Sequence, residues 1–377
     1  MATNTLHPIA CEAAWLGRDV ADSPRWRIEL DGPALAELEA ALAAASARPW
    51  QHATRDAFPL PGLGELLAGI ADELENGLGM VRLGGIPVER YTPDDQRRLL
   101  LGIGCHLGTP VYQTARGELM GEIADEGPDV GRRRGQVRDP ASGEVFLSSR
   151  SRAQSTGPLR WHTDRCDAVG LLCVQQARAG GESRLASAVT VHNVMCERRP
   201  DLARLLYQDI PRSRLGEEIG GERCFYPLPV FAVRDGRFTS HYSRTFVEAA
   251  QKDPSAPRMT PAQWEALDML AEVTTEVSFE MTLRPGDLQL LNNHVIYHGR
   301  AAFEDHPEPA RKRRLYRIWL SMPNSRALPE GFEVLWGAVG AGALRGGMCQ
   351  TPLEGSGLQW SPPAPDERIP SWLLPGA

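Results

Sequence analysis

Five stretches of the chain repeat apolar residues at helical spacing, each bounded by residues that start or stop a helix. The Ala-rich run from Ala34 to Ala47 begins near Pro33, and a second run from Pro61 to Asn76 stops at Gly77. Thr92-Pro93-Asp94-Asp95 opens a third, reaching about His106, because Thr is a good N-cap and Pro suits the first helical position. A fourth, Val191 to Gln208, meets Pro200, where a break is expected, and a fifth runs from Pro261 to Thr275. Between them lie short β-forming runs: Gly79–Leu83, Val169–Gln175, Phe231–Arg234, Val277–Phe279, Asp287–Leu291 and Leu315–Leu320. From Arg116 to Gln154 the pattern lapses into polar residues, with Gly117, Gly121, Gly127, Gly131 and Gly135 and the run Arg132-Arg133-Arg134, which predicts a long loop region, of the kind that is either functional or disordered. No solenoid repeat is visible. Strands scattered among helices without βαβ alternation predict a mainly β fold with flanking helices (α+β), a mostly antiparallel sandwich clad by helix.

Bulk properties narrow the function. At 377 residues the chain has room for two domains or one decorated barrel, taking about 150 residues per domain. A hydrophobic content of 42% with 24% charged residues is enough for a substantial core. The net charge of −7 gives no electrostatic footprint for nucleic acid or an anionic membrane. No apolar run reaches the roughly 18 residues of a membrane span. Met1 to Val20 carries Glu12, Arg18 and Asp19 instead of a continuous apolar segment, so no secretory signal is expected. Seven scattered cysteines (Cys11, Cys105, Cys166, Cys173, Cys196, Cys224, Cys349) form no C-x-x-C pair and point to a reducing cytoplasm. The expected partner is a small molecule, and nothing opposes a homo-oligomer.

Candidate chemistry begins at Trp161-His162-Thr163-Asp164, with a partner far downstream in Asn292-Asn293 and Tyr297-His298-Gly299-Arg300. On a strand, His-x-Asp puts both side chains on one face. Two imidazoles and one carboxylate are the facial ligand set of non-heme Fe(II) oxygenases. The similar His306-Pro307-Glu308 sits among prolines and charges and reads as a solvated loop. Cys166, near the motif, reads as a small buried hydrophobe. Gly180-Gly181-Glu182-Ser183 reads as a hairpin turn that returns a hydroxyl to a strand. In Arg311-Lys312-Arg313-Arg314-Leu315-Tyr316-Arg317-Ile318-Trp319-Leu320, alternation puts Arg313, Leu315, Arg317 and Trp319 on one face. A guanidinium on a buried face needs a partner, and a carboxylate suits it.

Together these motifs resemble the taurine dioxygenase/clavaminate synthase group of Fe(II)- and 2-oxoglutarate-dependent oxygenases, over about Gly79 to Pro329. The resemblance implies a double-stranded β-helix (jelly-roll) core. It implies that His162, Asp164 and His298 bind Fe(II), and that Ser183 and Arg313 hold the distal carboxylate of the cosubstrate 2-oxoglutarate. Arg314 competes with Arg313 for that role, and Arg317 would face the substrate. The chain then divides into an N-terminal helical segment, 1–78, a jelly-roll core, 79–329, with a loop insertion at about 116–154, and a C-terminal extension, 330–377, without a placeable motif.

The implied reaction couples O2 and 2-oxoglutarate, through oxidative decarboxylation to succinate and CO2, to oxidation of a substrate C–H, most often hydroxylation, with desaturation and ring formation as variants. Halogenation is disfavoured because Asp164 fills the position a halide would need. A zinc-dependent hydrolase or isomerase on the same sandwich, or a non-catalytic binding module, are the readings from other classes. For the substrate, a small amino-acid-like or carboxylate-bearing molecule, the pocket candidates are Arg165, Asp167, Gln154, Tyr242 and Arg244.

Overall fold

The computed structural model describes residues 6–114, 117–134, 136–138, 145–214 and 225–348. Arg116, Gly135, Cys224, Cys349 and the expected C-terminal extension from 349 onward lie outside the described residues. Two sheets carry the site. The larger runs in the spatial order Arg27–Glu29, Met80–Gly84, Leu288–Asn292, Ala168–Gln175, Arg314–Ser321 and Thr109–Val111, and Met120–Ile123 also pairs with Arg314–Ser321. The smaller contains Phe279–Met281, Ser183–Ser187, Ile296–Arg300 and Leu159–His162. Arg27–Glu29 runs parallel to Met80–Gly84, and the other pairings in both sheets are antiparallel.

Alternation along Arg314–Ser321 joins the layers. Leu315 and Trp319 enter a core shared with Trp161, Leu185, Ile296 and Tyr297 of the smaller sheet. Tyr316, Ile318 and Leu320 face the other way, into a second core under the helices Gly32–Ala45, Gly64–Asn76 and Pro93–Leu107. Burying such side chains stabilises by about 1.5–3 kcal/mol each, so a one-residue slip would sacrifice both faces. The helix starts follow local chemistry. Asp31 accepts from the Ala34 amide and Thr92 from the Asp95 amide, while Thr260 and Gln263 complete a reciprocal cap on Pro261–Val277. No helix among the described residues is long and apolar enough to cross a membrane.

Several expected boundaries move, each for a local reason. The expected strand at Val277–Phe279 belongs partly to the preceding helix, because Leu270, Val273, Thr274 and Val277 form one buried helical stripe; the strand is Phe279–Met281. The second helix starts at Gly64 instead of Pro61, since the Gly62 amide is turned away to Glu37 Oε1 at 2.6 Å. The polar stretch between 116 and 154 contains Met120–Ile123, an added strand of the larger sheet, and the short helix Ser149–Ala153. Gly180-Gly181 is not a hairpin turn: Gly180 ends the short strand Ala179–Gly180, which pairs with Phe303–Glu304, whereas Ser183–Ser187 belongs to the smaller sheet. The N-terminal segment contributes the strand Arg27–Glu29 as well as helix.

A buried ionic cluster ties the chain past residue 330 to this core. Asp167 Oδ1 accepts from Arg345 Nε at 2.7 Å and lies 2.8 Å from His294 Nε2, and Oδ2 accepts from the Met322 amide at 2.9 Å. Arg345 and His294 are fully buried. Burial alone would raise the Asp167 carboxyl, but Arg345, His294 and the Met322 amide outweigh it and bring it from 3.8 down to about 2. Gly346 and Gly347 follow with left-handed φ of 76° each, and their amides donate to Trp336 O and Arg165 O. A Cβ at Gly346 would meet Arg165 O at 2.8 Å, so this approach requires glycine.

Asp167→Asn leaves Arg345 buried without its carboxylate and should cost about 3–5 kcal/mol, read as a lower melting temperature. Because the folded carboxyl titrates below its ordinary value, its stabilisation is present above about pH 4 and fades as the pH falls towards 2. The melting temperatures of wild type and variant should therefore converge in acid; an unchanged melt at neutral pH contradicts the clamp.

Candidate metal centre

His162 and His298 are direct cross-strand partners on the smaller sheet, which sets their rings 4.2 Å apart, centroid to centroid. Asp164 lies beyond the strand, which ends at His162. Thr163 leaves the ladder there, donating its amide to Tyr242 O at 2.8 Å and accepting from the Tyr242 amide at Oγ1. The expected His-x-Asp on a strand is thus a strand end followed by a turn. The turn aims the carboxylate back: Asp164 Oδ1 is 3.8 Å from His162 Nε2, and Oδ2 is 3.8 Å from His298 Nε2. One donor atom from each of the three residues lies within 4.8 Å of the others.

Neighbours hold Asp164 in place. Its amide donates to Asn293 Oδ1 at 2.9 Å, and its Oδ2 accepts from Trp319 Nε1 at 3.0 Å. Arg317 Nη1 lies 3.4 Å from both carboxylate oxygens while its Nε donates to Gln113 Oε1 at 2.8 Å. Burial would raise the Asp164 carboxyl, but Arg317, the two histidines and the Trp319 hydrogen bond keep it below its usual value. Burial also holds both imidazoles below their ordinary value, His298 down to about 3 with help from His162 and Arg317. His162 Nδ1–H donates to Arg160 O at 2.9 Å, which leaves Nε2, the ring nitrogen on the Asp164 side, with its lone pair available to a metal. Two neutral imidazoles and an ionised carboxylate, buried and convergent, fit a divalent metal and specifically the facial set of Fe(II).

Two cavities share the triad's wall. In one, Ser183, Arg300 and Arg313 join His162, Asp164 and His298. Arg313 is buried, and its Nη1 has no partner. Arg314 is half-exposed and is not part of that wall; the bulge between Arg314 and Leu315 sets the register. The other cavity is lined by Arg165, Arg214, His241, Leu335 and Met348 beside His162 and Asp164, and Arg317 borders both cavities.

The remaining substrate candidates lie elsewhere. Gln154 accepts from the Ala124 amide and donates to Glu122 O, and it borders a neighbouring cavity of mixed charge. Tyr242 is buried edge-on against Tyr297, Asp167 is committed to Arg345 and His294, and Arg244 pairs with Glu248 and Asp268 near the surface. Gln113, Trp319, Arg214, Leu335 and Met348 were not singled out by sequence. For Trp319 a signal existed, its place on the Arg313/Arg317 face; for Leu335 and Met348 the only cue was the Arg345-Gly346-Gly347 run.

Residues 44–319 match the family model described as taurine catabolism dioxygenase TauD, TfdA family. The chain is 30% identical to the FR-33289 synthase of Streptomyces rubellomurinus, over 89% of this chain and 96% of that protein. Among solved structures, an asparagine oxygenase with Fe(II), 2S,3S-3-hydroxyasparagine and succinate superposes with a TM-score of 0.60 at 18% identity, over 79% of this chain and 94% of that one. The non-heme iron oxygenase OrfP with Fe and alpha-ketoglutaric acid gives 0.55 at 16%, over 78% and 93%. At such identities these two speak for the fold, whereas the family match and the synthase speak for descent. The chain belongs to the TauD/TfdA dioxygenase family and is a 2-oxoglutarate-dependent dioxygenase with Fe(II) and 2-oxoglutarate as its cofactors.

Proposed function

We propose that the chain hydroxylates a C–H of a small polar molecule, amino-acid-like or carboxylate-bearing, and that His162, Asp164 and His298 are the iron ligands. One observation carries this reading: the buried triad stands between two cavities, one suited to the cosubstrate and one open to another ligand. Iron bound there supplies O2 activation coupled to oxidative decarboxylation of 2-oxoglutarate. Arg313 and Ser183 grip the distal carboxylate, and the unpartnered Arg313 Nη1 supports that role. A planar fork on a carboxylate fixes both position and orientation. Arg317 and Trp319 orient Asp164, and the buried surroundings keep water from the reacting C–H.

The substrate class draws support from the solved relatives, since the asparagine oxygenase was captured with hydroxyasparagine and OrfP with (3S)-hydroxy-L-Arg. In this reading the two sheets are the faces of a double-stranded β-helix, residues 79–329 form the catalytic core, and 1–78 and 330–377 are additions to it. The enzyme works in the cytoplasm on a free small molecule, in keeping with the free cysteines among the described residues.

Asp164→Ala should abolish iron-dependent succinate formation while circular dichroism stays native; turnover retained with iron supplied would falsify the ligand assignment. Arg313→Ala should raise the 2-oxoglutarate requirement roughly 10- to 100-fold, the loss of a charge-assisted contact worth about 1.5–3 kcal/mol. Ser183→Ala should do so more weakly and Arg314→Ala not at all; the reverse order for the two arginines rejects the register. Arg317→Lys keeps the charge but loses the fork, and should weaken iron binding by about 10- to 100-fold with little change in melting temperature. Iron titration that matches wild type would exclude a bracing role for Arg317.

A further inference from the structure

One guanidinium links the cosubstrate cavity to the cavity left for the substrate. Arg300 ends the strand that carries His298, and both residues line the cosubstrate cavity. Arg300 is buried, and its hydrogen bonds go to backbone carbonyls. Nη1 donates to Ala153 O at 3.2 Å, Nη2 to Ser155 O at 2.6 Å and to Gly157 O, and Nε to Ala301 O at 3.3 Å. Three of these carbonyls lie at the exit of the short helix Ser149–Ala153, where helical carbonyls lack an intrahelical donor and a cation is favourable. The Phe303 amide binds the same segment, donating to Thr156 O at 3.0 Å.

That segment is also a wall. Ser149, Arg150 and Ala153 line the substrate cavity, and Ala153 lines the cosubstrate cavity as well. Ser149 Oγ lies 3.3 Å from the hydroxyl of Ser243, which lines the substrate cavity too. On the cosubstrate side, Arg300 and Arg313 lie against one ring, 4.7 and 5.2 Å from the centroid of Phe303. Two cations on one ring in a buried cavity repel each other. A carboxylate arriving at Arg313 offsets that repulsion and attracts Arg300 into the position that also holds Ala153, Ser155 and Gly157. A ligand shifts a conformational equilibrium only through its differential interaction with the two states, and that attraction is the difference here.

Resting on the oxygenase reading of the cosubstrate cavity, we propose that Arg300 is a positioning residue that couples the two cavities. Bound 2-oxoglutarate holds Arg300 in place, and Arg300 holds residues 149–157 as a wall of the substrate cavity. The wall is firm when the cosubstrate is present and loose when it is absent. Arg300 needs no contact with the substrate for this, because its influence runs through the three carbonyls.

The test is hydrogen exchange read by mass spectrometry on the full-length protein with Fe(II) and without oxygen. It compares samples with and without 2-oxoglutarate, at a concentration that saturates the visible band of 2-oxoglutarate on ferrous iron. In wild type, 2-oxoglutarate should slow exchange of the 149–157 amides by about threefold or more, and leave the helix Gly64–Asn76, which lines neither cavity, unchanged. In Arg300→Lys, whose ammonium cannot fork across three carbonyls, the 149–157 amides should exchange faster, and saturating 2-oxoglutarate should no longer slow them. Equal exchange in wild type with and without the cosubstrate overturns the proposal whether or not the variant folds, since that is how an arginine that only caps a helix behaves. Slowing in Arg300→Lys as large as in wild type overturns it as well. Absence of the band in iron-loaded wild type would instead overturn the oxygenase reading.

Discussion

Three donors for one cation have to converge from elements that share no local sequence, and one carboxylate makes this hard. His162 and His298 meet because their strands pair in register. Asp164 sits past the end of its strand, where no ladder holds it, so its position depends on side chains of the larger sheet. Trp319 and Arg317 reach it from Arg314–Ser321, and Asn293 reaches it from the turn before His298. The site therefore exists only when both sheets are docked. That requirement explains why the alternation of Arg314–Ser321 is so strict: one face touches the metal carboxylate and the other builds the core under the helices.

The same logic extends outward through Asp167, three residues on from Asp164. Its carboxylate collects Arg345, His294 and the Met322 amide, and so locks the metal-bearing turn, the turn before His298 and the end of the arginine strand to the chain past 330. A buried cluster of this kind contributes little net stability relative to an apolar core, yet it penalises every arrangement that leaves one member unpaired. Here that penalty fixes the chain past 330, with Leu335 and Met348 of one cavity wall, relative to His162 and Asp164. Asp167 itself lines neither of the two cavities beside the triad.

Much of this was legible in the sequence, and unevenly so. The helices announced themselves through caps, as at Thr92 and Thr260, because capping is local. The triad was legible because His-x-Asp and a distant His-Gly-Arg are specific in combination; Arg317 stood out as a charge inside an apolar strand, and Arg313 through its place on the same face and the family resemblance. What stayed hidden depended on tertiary contact. Nothing local says that the strand stops at His162, since Tyr242, whose backbone draws Thr163 out of the ladder, is remote in sequence. Asp167 read as a pocket residue because its neighbours in sequence line the cavity, while its partner Arg345 lies in a segment without hydrophobic periodicity. Gln154 and Tyr242 were credible on polarity alone, and only the contacts of their side chains direct them away from the cavity.

The central claim is that one buried triad binds Fe(II) and presents it to 2-oxoglutarate gripped by Arg313. The most direct measurement is an anaerobic titration of the metal-free protein with Fe(II) and then 2-oxoglutarate, followed by the visible absorption that 2-oxoglutarate gives when it chelates ferrous iron. The expected result is a band that saturates at one iron and one 2-oxoglutarate per chain and is missing in His298→Ala. Absence of the band in folded wild-type protein that has taken up iron, or its persistence in that variant, would contradict the claim.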